Sequence, residues 1–264
     1  MRNLGRILLL ACLALLAATD AARAAEKPDC ARRFSLALHD HGLLYSNQTG
    51  EGVDKDFADE LIRRSGCTVD VTLMARARIW QLIESGALDF SLSGISNEAR
   101  ERFVGFAWYF SNKYYLLLRK DAGVRSLDGF EAARGLRLGA TRGFRYGPRA
   151  NRLVDKLDAQ GRVSYANSLD SLYETLRGNS TQAMIIEPFD YPAAQSANLR
   201  EQTAIFEFDD PAVPHGLIMS KASLAPAQQQ AWRALVEGMR SDGTVRRIFE
   251  KYFKPDLARA LTQF

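Results

Sequence analysis

The sequence predicts an α/β protein whose two lobes enclose a cleft. Three observations lead to this prediction: strand-like and helix-like segments alternate, the alternation restarts near the middle of the chain, and a helical tail follows the second run. Alternation of this kind implies parallel strands joined by helical crossovers. In such sheets a ligand binds at the carboxyl ends of the strands, which here would face each other between the lobes.

The first unit starts at residues 34–38, which alternate as a strand does. Residues 56–64 carry an apolar stripe with helical spacing, and Gly66 suits the end of that helix. The other predicted elements of this unit are a strand at 69–74, a helix at 76–85 that Gly86 terminates, a strand at 88–92 and a departing strand at 114–119.

The second unit repeats the pattern. Pro148 favours the first turn of a helix, where its missing N–H costs no hydrogen bond, and Ser168 is the predicted N-cap of the next helix. The predicted elements are helices at 148–157 and 168–177, strands at 136–140, 163–166, 183–186 and 216–220, and closing helices at 226–240 and 244–253. Because no strand follows the closing helices, they can pack back on the first lobe. We therefore expect the first lobe at 25–118 and 216–264 and the second at 119–215.

Residues 1–24 have the features of an export signal. Basic residues precede an apolar core at 7–18, and the tripeptide ARA at 22–24 fits a cleavage site. The core has about a dozen residues, too few for the roughly 20 that a spanning helix needs. A lipoprotein modified at Cys12 is the alternative, but it leaves almost no apolar region before the cut. We expect a soluble secreted protein, cleaved after Ala24.

Cleavage changes both the charge and the cysteine count. It removes three arginines and one aspartate, which lowers the formal charge from +4 to +2, too near neutral to suggest a nucleic-acid partner. Cys30 and Cys67 remain, and an even pair in an oxidising compartment predicts a disulfide. Two separately buried thiols are the alternative.

The motifs that the sequence lacks argue against several classes of enzyme. His39 and His41 would share one face of a strand, but no nearby cysteine completes a metal site and Asp40 would point away. The P-loop, the dinucleotide-binding glycine motif and the nucleophile elbow do not occur. We expect neither a metal nor a cofactor, although a catalytic triad can form without a motif.

Five segments carry a family resemblance: GEGVDKDFADELIRRSGC, RARIWQLIESGALDFSLSGISNEARERFVGFAWYF, GLRLGATRGFRYG, SLDSLYETLRGNSTQAMIIEP and DGTVRRIFEKYF. In this order they resemble the periplasmic solute-binding proteins for polar amino acids that feed ABC importers. Each segment alone is weak evidence for the family, but the five together span nearly the whole mature chain. The resemblance implies the two-lobed periplasmic-binding-protein fold with a hinge, a small-molecule ligand such as an amino acid or carboxylate, an ABC transporter permease as partner, and a monomer.

In this family an arginine after the third strand binds the α-carboxylate of the ligand, and the resemblance gives that role to Arg100 rather than Arg102. A planar guanidinium can hold a carboxylate through two hydrogen bonds. The small and polar residues before it would also approach the ligand: Ser93, Gly94, Ser96 and Asn97. The alternative is a solvated arginine at a helix start.

Across the cleft the family supplies an acid for the ligand's α-amino group, and the resemblance places Glu187 there. The alternative is a glutamate at the edge of the sheet, before the turn at Pro188. Tyr45 lies near the position of the aromatic ring with which the family contacts its ligand.

The sequence departs from the family in its basic residues. Gly143 matches the glycine of the second-lobe carboxylate loop, but Phe144 and Arg145 replace the usual Thr/Ser pair. Arg76 stands where many relatives carry an aromatic or apolar side chain, and Arg78 matches an arginine of a subgroup. A basic surface is the alternative for the arginines, and core packing is the alternative for Phe144.

The sequence therefore predicts a binding protein without catalysis, whose lobes close on one small solute and present the closed form to a permease. An enzyme on the same fold is the alternative: secreted cyclohexadienyl (arogenate) dehydratases resemble this family, and a buried Glu187 could serve as a general acid. A detached sensor domain is a third hypothesis.

The arginines also predict the class of ligand. If Arg76, Arg78 and Arg145 face the cleft with Arg100, their charge exceeds what Glu187 offsets and favours a solute with a second acidic group. Arginines that extend to the surface would instead leave a neutral site. In a thermal-shift screen we expect acidic amino acids or dicarboxylates at a hundred times their Kd to add about 2.7 kcal/mol of stability. Stabilisation by cationic amino acids alone would contradict this expectation.

Overall fold

The computed structural model describes residues 27–190 and 199–264. The predicted export signal at 1–24 lies outside these ranges. Within them, no helix combines the length and the apolar character that crossing a membrane requires. Two mixed sheets with interleaved helices form the two lobes, and they confirm the predicted fold class.

The described residues form strands and helices in alternation through most of the chain. The strands are β1 (Phe34–Leu38), β2 (Val69–Leu73), β3 (Phe90–Gly94), β4 (Val104–Asn112), β5 (Tyr115–Arg119), β6 (Leu138–Thr141), β7 (Val163–Ala166), β8 (Ala183–Ile186), β9 (Thr203–Glu207) and β10 (Val213–Ser220). The helices are α1 (Val53–Ser65), α2 (Arg76–Ser85), α3 (Glu98–Glu101), α4 (Leu127–Ala132), α5 (Pro148–Ala159), α6 (Leu169–Arg177), α7 (Leu199–Gln202), α8 (Pro226–Ser241), α9 (Thr244–Glu250) and α10 (Pro255–Thr262).

The two sheets are built on the same plan. The first has the strand order β2-β1-β3-β10-β4, and the second has the order β7-β6-β8-β5-β9. In each, three strands are parallel, and the fourth strand in the order is antiparallel to both of its neighbours. The carboxyl ends of β1 and β3 therefore lie at one edge of the first sheet, and those of β6 and β8 at one edge of the second.

Several predicted helix boundaries are confirmed. Gly66 and Gly86 end α1 and α2 in the left-handed conformation, with φ of 72° and 77°, and the Gly66 N–H donates to Ile62 O at 3.1 Å. Pro148 begins α5, and the Ser168 side chain accepts a hydrogen bond from the backbone N–H of Ser171 at the start of α6. These ends follow from local chemistry, which is why the sequence alone predicts them.

The chain passes from one sheet to the other at 113–114 and returns at 208–212. Strand β5 pairs with β8 and β9 of the second sheet, and β10 pairs with β3 and β4 of the first. These two crossings connect the lobes as a hinge. They fall a few residues before the lobe limits of 118/119 and 215/216 that the sequence suggested.

Strand β4 has no counterpart among the predicted elements. Its nine residues, VGFAWYFSN, are mostly apolar and mostly buried on both faces, so they lack the alternation that identifies a half-exposed strand. Strand β9 and helices α3, α4, α7 and α10 were also not predicted. The predicted last helix is shorter than expected, because α9 ends at Glu250 and Pro255 begins a separate helix.

The closing helices return to the first lobe, as predicted. Trp232 of α8 packs edge-on against Phe34 of β1, with ring centroids 5.5 Å apart, and lies 4.7 Å from the ring of Phe90 in β3. Met239 of α8 and Phe249 of α9 are fully buried in the same cluster. The tail thus completes the core that supports β1 and β3, the strands that lead into the cleft.

One turn of the second lobe is built into the core of the first. After β8 the chain forms a 3₁₀ turn at Pro188–Asp190, and the Phe189 ring is fully buried against Phe110 and Phe253, at centroid distances of 5.1 and 5.3 Å. The Phe189 carbonyl accepts a hydrogen bond from Leu43 N at 2.9 Å. The lobes are therefore packed together at this turn in addition to being joined by the two crossings.

The predicted disulfide is present. Cys30 and Cys67 are bridged, with their Cα atoms 5.0 Å apart and a sequence separation of 37 residues. The bridge joins the segment before β1 to the connection between α1 and β2. It therefore ties the first βα unit together at the end of β1 that is remote from the cleft.

We expect the double variant Cys30→Ser/Cys67→Ser to lose about 3–4 kcal/mol of unfolding free energy, because the unfolded chain loses a constraint on a loop of this length. Urea denaturation of the variant and of the wild type measures the difference. Reductant should weaken the wild type and leave the variant unchanged. Intact-mass analysis after alkylation checks the bridge itself, and two labelled thiols in unreduced protein would contradict it.

Candidate functional site

A small, partly open cavity lies between the lobes, where the strand ends of the two sheets meet. Its volume is about 20 Å³, which accommodates a water molecule but not an amino acid. Seven of the twelve predicted ligand-binding residues line it: Arg76, Ser93, Arg100, Gly143, Phe144, Arg145 and Glu187. Leu44, Trp80, Ile95, Tyr114 and His215 complete the lining.

Arg76 begins α2, and its side chain is buried between the strand ends of the first lobe. Its Nη1 donates to Leu92 O at 3.0 Å, and its Nη2 donates to His39 Nε2 at 3.1 Å and to Ser93 O at 3.3 Å. Because the guanidinium only donates, His39 Nε2 must be the acceptor. Among the described residues no carboxylate lies within ion-pair distance of Arg76.

Arg100 connects the two lobes. Its Nη1 donates to Ile95 O at 3.0 Å in the first lobe, and its Nη2 donates to Gly143 O at 2.9 Å in the second. The guanidinium lies over the Trp80 ring, 3.8 Å from the ring centroid, in a cation–π contact. Arg100 is only 9% exposed, and within the described ranges no carboxylate pairs with it.

Burial makes both guanidiniums costly to keep charged. Burial lowers the pKa of Arg76 to about 10, although the nearby charge of Asp54 opposes that effect. Burial, with repulsion from Arg76 and Arg145, lowers the pKa of Arg100 to about 9. Both side chains remain cationic at neutral pH, and a bound anion would stabilise them.

Glu187 follows β8 and lies in a buried cluster that both lobes form. Its Oε1 lies 3.0 Å from His41 Nε2, and its Oε2 accepts from Asn112 Nδ2 at 2.9 Å. Asp190 Oδ1 lies 3.0 Å from the same nitrogen of His41, while Asp190 Oδ2 accepts from Glu187 N at 2.9 Å. Both carboxylate oxygens of Glu187 thus already have protein partners.

His41 is the cation of this cluster. Burial by itself lowers its pKa, but attraction to Asp190 and hydrogen bonding to Asp190 and Glu187 outweigh burial and raise the pKa to about 10. At neutral pH the imidazolium therefore lies between two carboxylates. The ligand atoms of His41, Glu187 and Asp190 lie within 4.8 Å of one another, as in a metal site. We describe the three residues as an ion cluster, in which His41 Nε2 faces both carboxylates.

Phe144 occupies the space between the two histidines and Arg76. Its ring centroid is 4.8 Å from that of His41, 5.6 Å from that of His39, and 5.5 Å from the Arg76 guanidinium. Phe144 and Arg76 also line a neighbouring pocket of about 240 Å³. The ring therefore lies at the boundary between the small cavity and this larger pocket.

Ser93 has its polar groups engaged by the protein. Its Oγ donates to Asp54 Oδ1 at 2.7 Å, and its N donates to the hydroxyl of Tyr109 at 2.9 Å, which in turn donates to Asp54 Oδ1 at 2.8 Å. Burial raises the pKa of Asp54 to about 6, against hydrogen bonds that favour the carboxylate. This network holds Ser93 at a φ of 52°, which is unusual for a residue other than glycine.

The other small and polar residues before Arg100 have structural roles. A Cβ on Gly94 would lie 2.3 Å from Ile218 Cγ1, so packing of β3 against β10 explains this glycine. Ser96 Oγ donates to the carboxylate of Glu101, and Asn97 caps α3 by accepting from Arg100 N at 2.9 Å. None of these three lines the cavity, and their roles position Arg100.

Three further predicted residues lie at or outside the cavity margin. Arg78 is exposed on α2 and does not line the cavity. Arg145 lines it but pairs with Asp155 at 2.6 Å, with both side chains substantially exposed. Tyr45 is half-buried against the core of the first lobe and likewise does not line the cavity. The surplus of positive charge is therefore smaller than the sequence suggested.

Gly143 is placed where the lobes come closest. It has a φ of 81°, and a Cβ there would lie 3.0 Å from the backbone of Ala77 at the start of α2. Its carbonyl accepts the hydrogen bond from Arg100. Glycine at this position thus permits both the loop conformation and the interlobe contact.

Sequence reasoning missed the residues that join the hinge to the cavity. Tyr114 OH lies 2.8 Å from His215 Nε2, and His215 Nδ1 lies 2.8 Å from Val213 O. Burial lowers the pKa of His215 to about 4, so it is neutral, with Nδ1 donating and Nε2 accepting. No sequence pattern marks these two residues. Trp80 was predictable, since it lies four residues after Arg76 on one face of α2.

Residues 41–255 match the model of a protein family described as "Bacterial extracellular solute-binding proteins, family 3". The chain belongs to this family. The family resemblance in the sequence is thereby confirmed, whereas the roles of individual site residues stay predictions. A search of curated proteins gives no match.

Solved structures with the same fold include an arginine-binding protein, a sensor domain and a ligand-binding core. An ancestral arginine-binding protein bound to arginine is 19% identical, with a TM-score of 0.70 over 85% of this chain and 100% of its own. A histidine kinase sensor domain similar to periplasmic binding proteins is 15% identical, with a TM-score of 0.70 over 86% and 98%. The GluR0 ligand-binding core from Nostoc punctiforme, in complex with L-glutamate, is 14% identical, with a TM-score of 0.67 over 84% and 100%. At these identities the likeness shows the fold alone.

We expect the interlobe ion cluster to contribute stability that is lost in alkali. The folded-state pKa of His41 is raised from 6.5 to about 10, so its contribution is complete below pH 6.5 and disappears as pH rises through 10. The unfolding free energy of wild type minus that of His41→Gln should be largest near pH 6 and fall steadily toward pH 10.

His39→Gln is the matched control. Burial, with the charges of Arg76 and His41, lowers the pKa of His39 well below 6.5, so its contribution should not change between pH 6.5 and 10. A constant difference for His41→Gln over this range would contradict the assignment of His41 as an imidazolium.

Proposed function

We propose that this protein is a periplasmic solute-binding protein that captures a small carboxylate, either an amino acid or a related acid, for an ABC importer. One observation carries the proposal. Arg100 is buried, hydrogen-bonds carbonyl groups of both lobes, and has no carboxylate partner in the described part of the chain. A solute carboxylate would complete this arrangement through a charge-assisted pair. Two relatives of the same fold are described in complex with arginine and with L-glutamate.

Capture requires the lobes to open and the Phe144 ring to move, because the closed cavity of about 20 Å³ admits no such solute. A solute that contacts both lobes binds the closed form better than the open form, and this difference drives closure. The Arg100 contact with Gly143 supports the same mechanism, since a carboxylate held by Arg100 would lie beside an existing interlobe hydrogen bond.

The importer role and the periplasmic location rest on the family and on the predicted signal. A monomer that meets its permease in the closed form fits both. Because one relative of the same fold is a histidine kinase sensor domain, solute uptake by cells with and without this protein separates transport from sensing. Sequencing the amino terminus of exported protein checks cleavage after Ala24.

A dehydratase-like enzyme is not favoured. That alternative needs Glu187 free to pass a proton to a substrate, but contacts with His41 and Asn112 already engage its two oxygens. The reaction can still be tested by incubating the protein with prephenate or arogenate and following product absorbance.

Arg100→Ala should weaken binding of the solute by two orders of magnitude or more, since it strands a carboxylate in a dry cleft at a cost of about 2–5 kcal/mol. Arg100→Lys should weaken it less, because lysine keeps the charge but loses the planar, two-point contact. Calorimetry with the solute identified by mass spectrometry of gently purified protein measures both.

Arg102→Ala is the matched control, since Arg102 is 74% exposed and pairs only with Glu98 at 3.1 Å. Circular dichroism and melting curves verify that the variants remain folded. Equal losses for Arg100→Ala and Arg102→Ala, or no loss for Arg100→Ala, would refute the assigned role.

A further inference from the structure

The two sides of the cavity differ in how completely the protein satisfies their charges. On the acidic side, Glu187 is 4% exposed and both of its oxygens have nitrogen partners, His41 and Asn112. On the basic side, the described contacts of Arg76 and Arg100 are to backbone carbonyls, to the neutral His39 and to aromatic rings. Within the part of the chain that the structure describes, the charges without a carboxylate partner are therefore on the cationic side of the cavity.

His41 lies where a ligand ammonium would have to bind. It comes from the first lobe, in the loop after β1, and its Nε2 lies 3.0 Å from Glu187 Oε1 and 3.0 Å from Asp190 Oδ1 in the second lobe. All three side chains are at most 4% exposed. A buried imidazolium held by two carboxylates already provides the N–H donor and the positive charge that a ligand's amino group would bring.

Admitting an ammonium to Glu187 would be unfavourable for two reasons. It would bring a second cation next to His41, and of the two carboxylates that face His41 only Glu187 lines the cavity, so the two cations would share one acid there. It would also have to fit beside the N–H groups of His41 and Asn112, which already reach the two buried oxygens of Glu187, in a cavity of about 20 Å³. A carboxylate at Arg76 and Arg100 meets neither obstacle.

We infer that the cleft selects small organic acids that lack an α-amino group, such as hydroxy, oxo or dicarboxylic acids, over the corresponding amino acids. The inference rests on the proposed solute-binding function and narrows its ligand class. His41 acts as an internal substitute for the ligand ammonium, and Arg76 and Arg100 bind the carboxylate.

Matched pairs of ligands test the inference on the whole mature protein. Calorimetry compares glutamate with glutarate and 2-oxoglutarate, aspartate with succinate and malate, and alanine with lactate and pyruvate. We expect at least one acid to bind tenfold or more tightly than its amino acid. If every amino acid binds as tightly as its matched acids, or more tightly, the inference is overturned but the proposed function stands. If no compound of either class binds, both are overturned.

His41→Gln tests the role of the imidazolium directly. Without the cation, Glu187 and Asp190 are available to an ammonium, so the ratio of acid affinity to amino-acid affinity should fall tenfold or more. Asp40→Asn is the matched control, because Asp40 adjoins the cluster in sequence but is exposed, and the ratio should not change. An unchanged ratio in folded His41→Gln protein overturns the role of His41. If that variant does not fold, the ligand pairs on the wild type still decide the ligand class.

Discussion

Charge buried between the lobes is the constraint on which the rest of this structure depends. Isolated charges in a water-poor interior are costly, and pairing restores only part of that cost. Here three cationic side chains meet three carboxylates at the strand ends: Arg76, Arg100, His41, Asp54, Glu187 and Asp190. They are unevenly distributed, with His41 held between two acids and the arginines held mainly by carbonyl groups. The local excess of positive charge at the arginines, rather than any excess over the whole cluster, is the basis for the proposed binding of an anion.

The fold assembles this arrangement from segments far apart in sequence. The carboxyl ends of β1 and β3 supply His39, His41 and the Ser93 turn, and those of β6 and β8 supply the Phe144 loop and Glu187. The closing helices pack on β1 and β3, and the disulfide ties the remote end of the same unit. Packing and the disulfide thus support the first-lobe strands of the site, so we expect the motion that admits a solute at the crossings and the Phe144 loop.

Local chemistry was predictable from the sequence, and long-range pairing was not. Gly66 and Gly86 end helices and Ser168 caps one because each acts through its own backbone or its near neighbours, whereas β4 gave no signal because both of its faces are buried. The sequence resemblance pointed to Arg100, which does line the cavity. It could not reveal that His41 meets Glu187, because 146 residues separate them. Arg78 lies two residues after Arg76, nearly opposite it on a helix, and that spacing accounts for its exposure.

The turn at Phe189 determines how the cleft can open. Its ring is fully buried in the first lobe, and Leu43 holds its carbonyl, although the turn belongs to the chain of the second lobe. Exposing a buried phenylalanine would cost about 1.5–3 kcal/mol, which favours an opening motion that keeps this contact. The second lobe must then pivot about an axis near Phe189, and the displacement grows with distance from that axis.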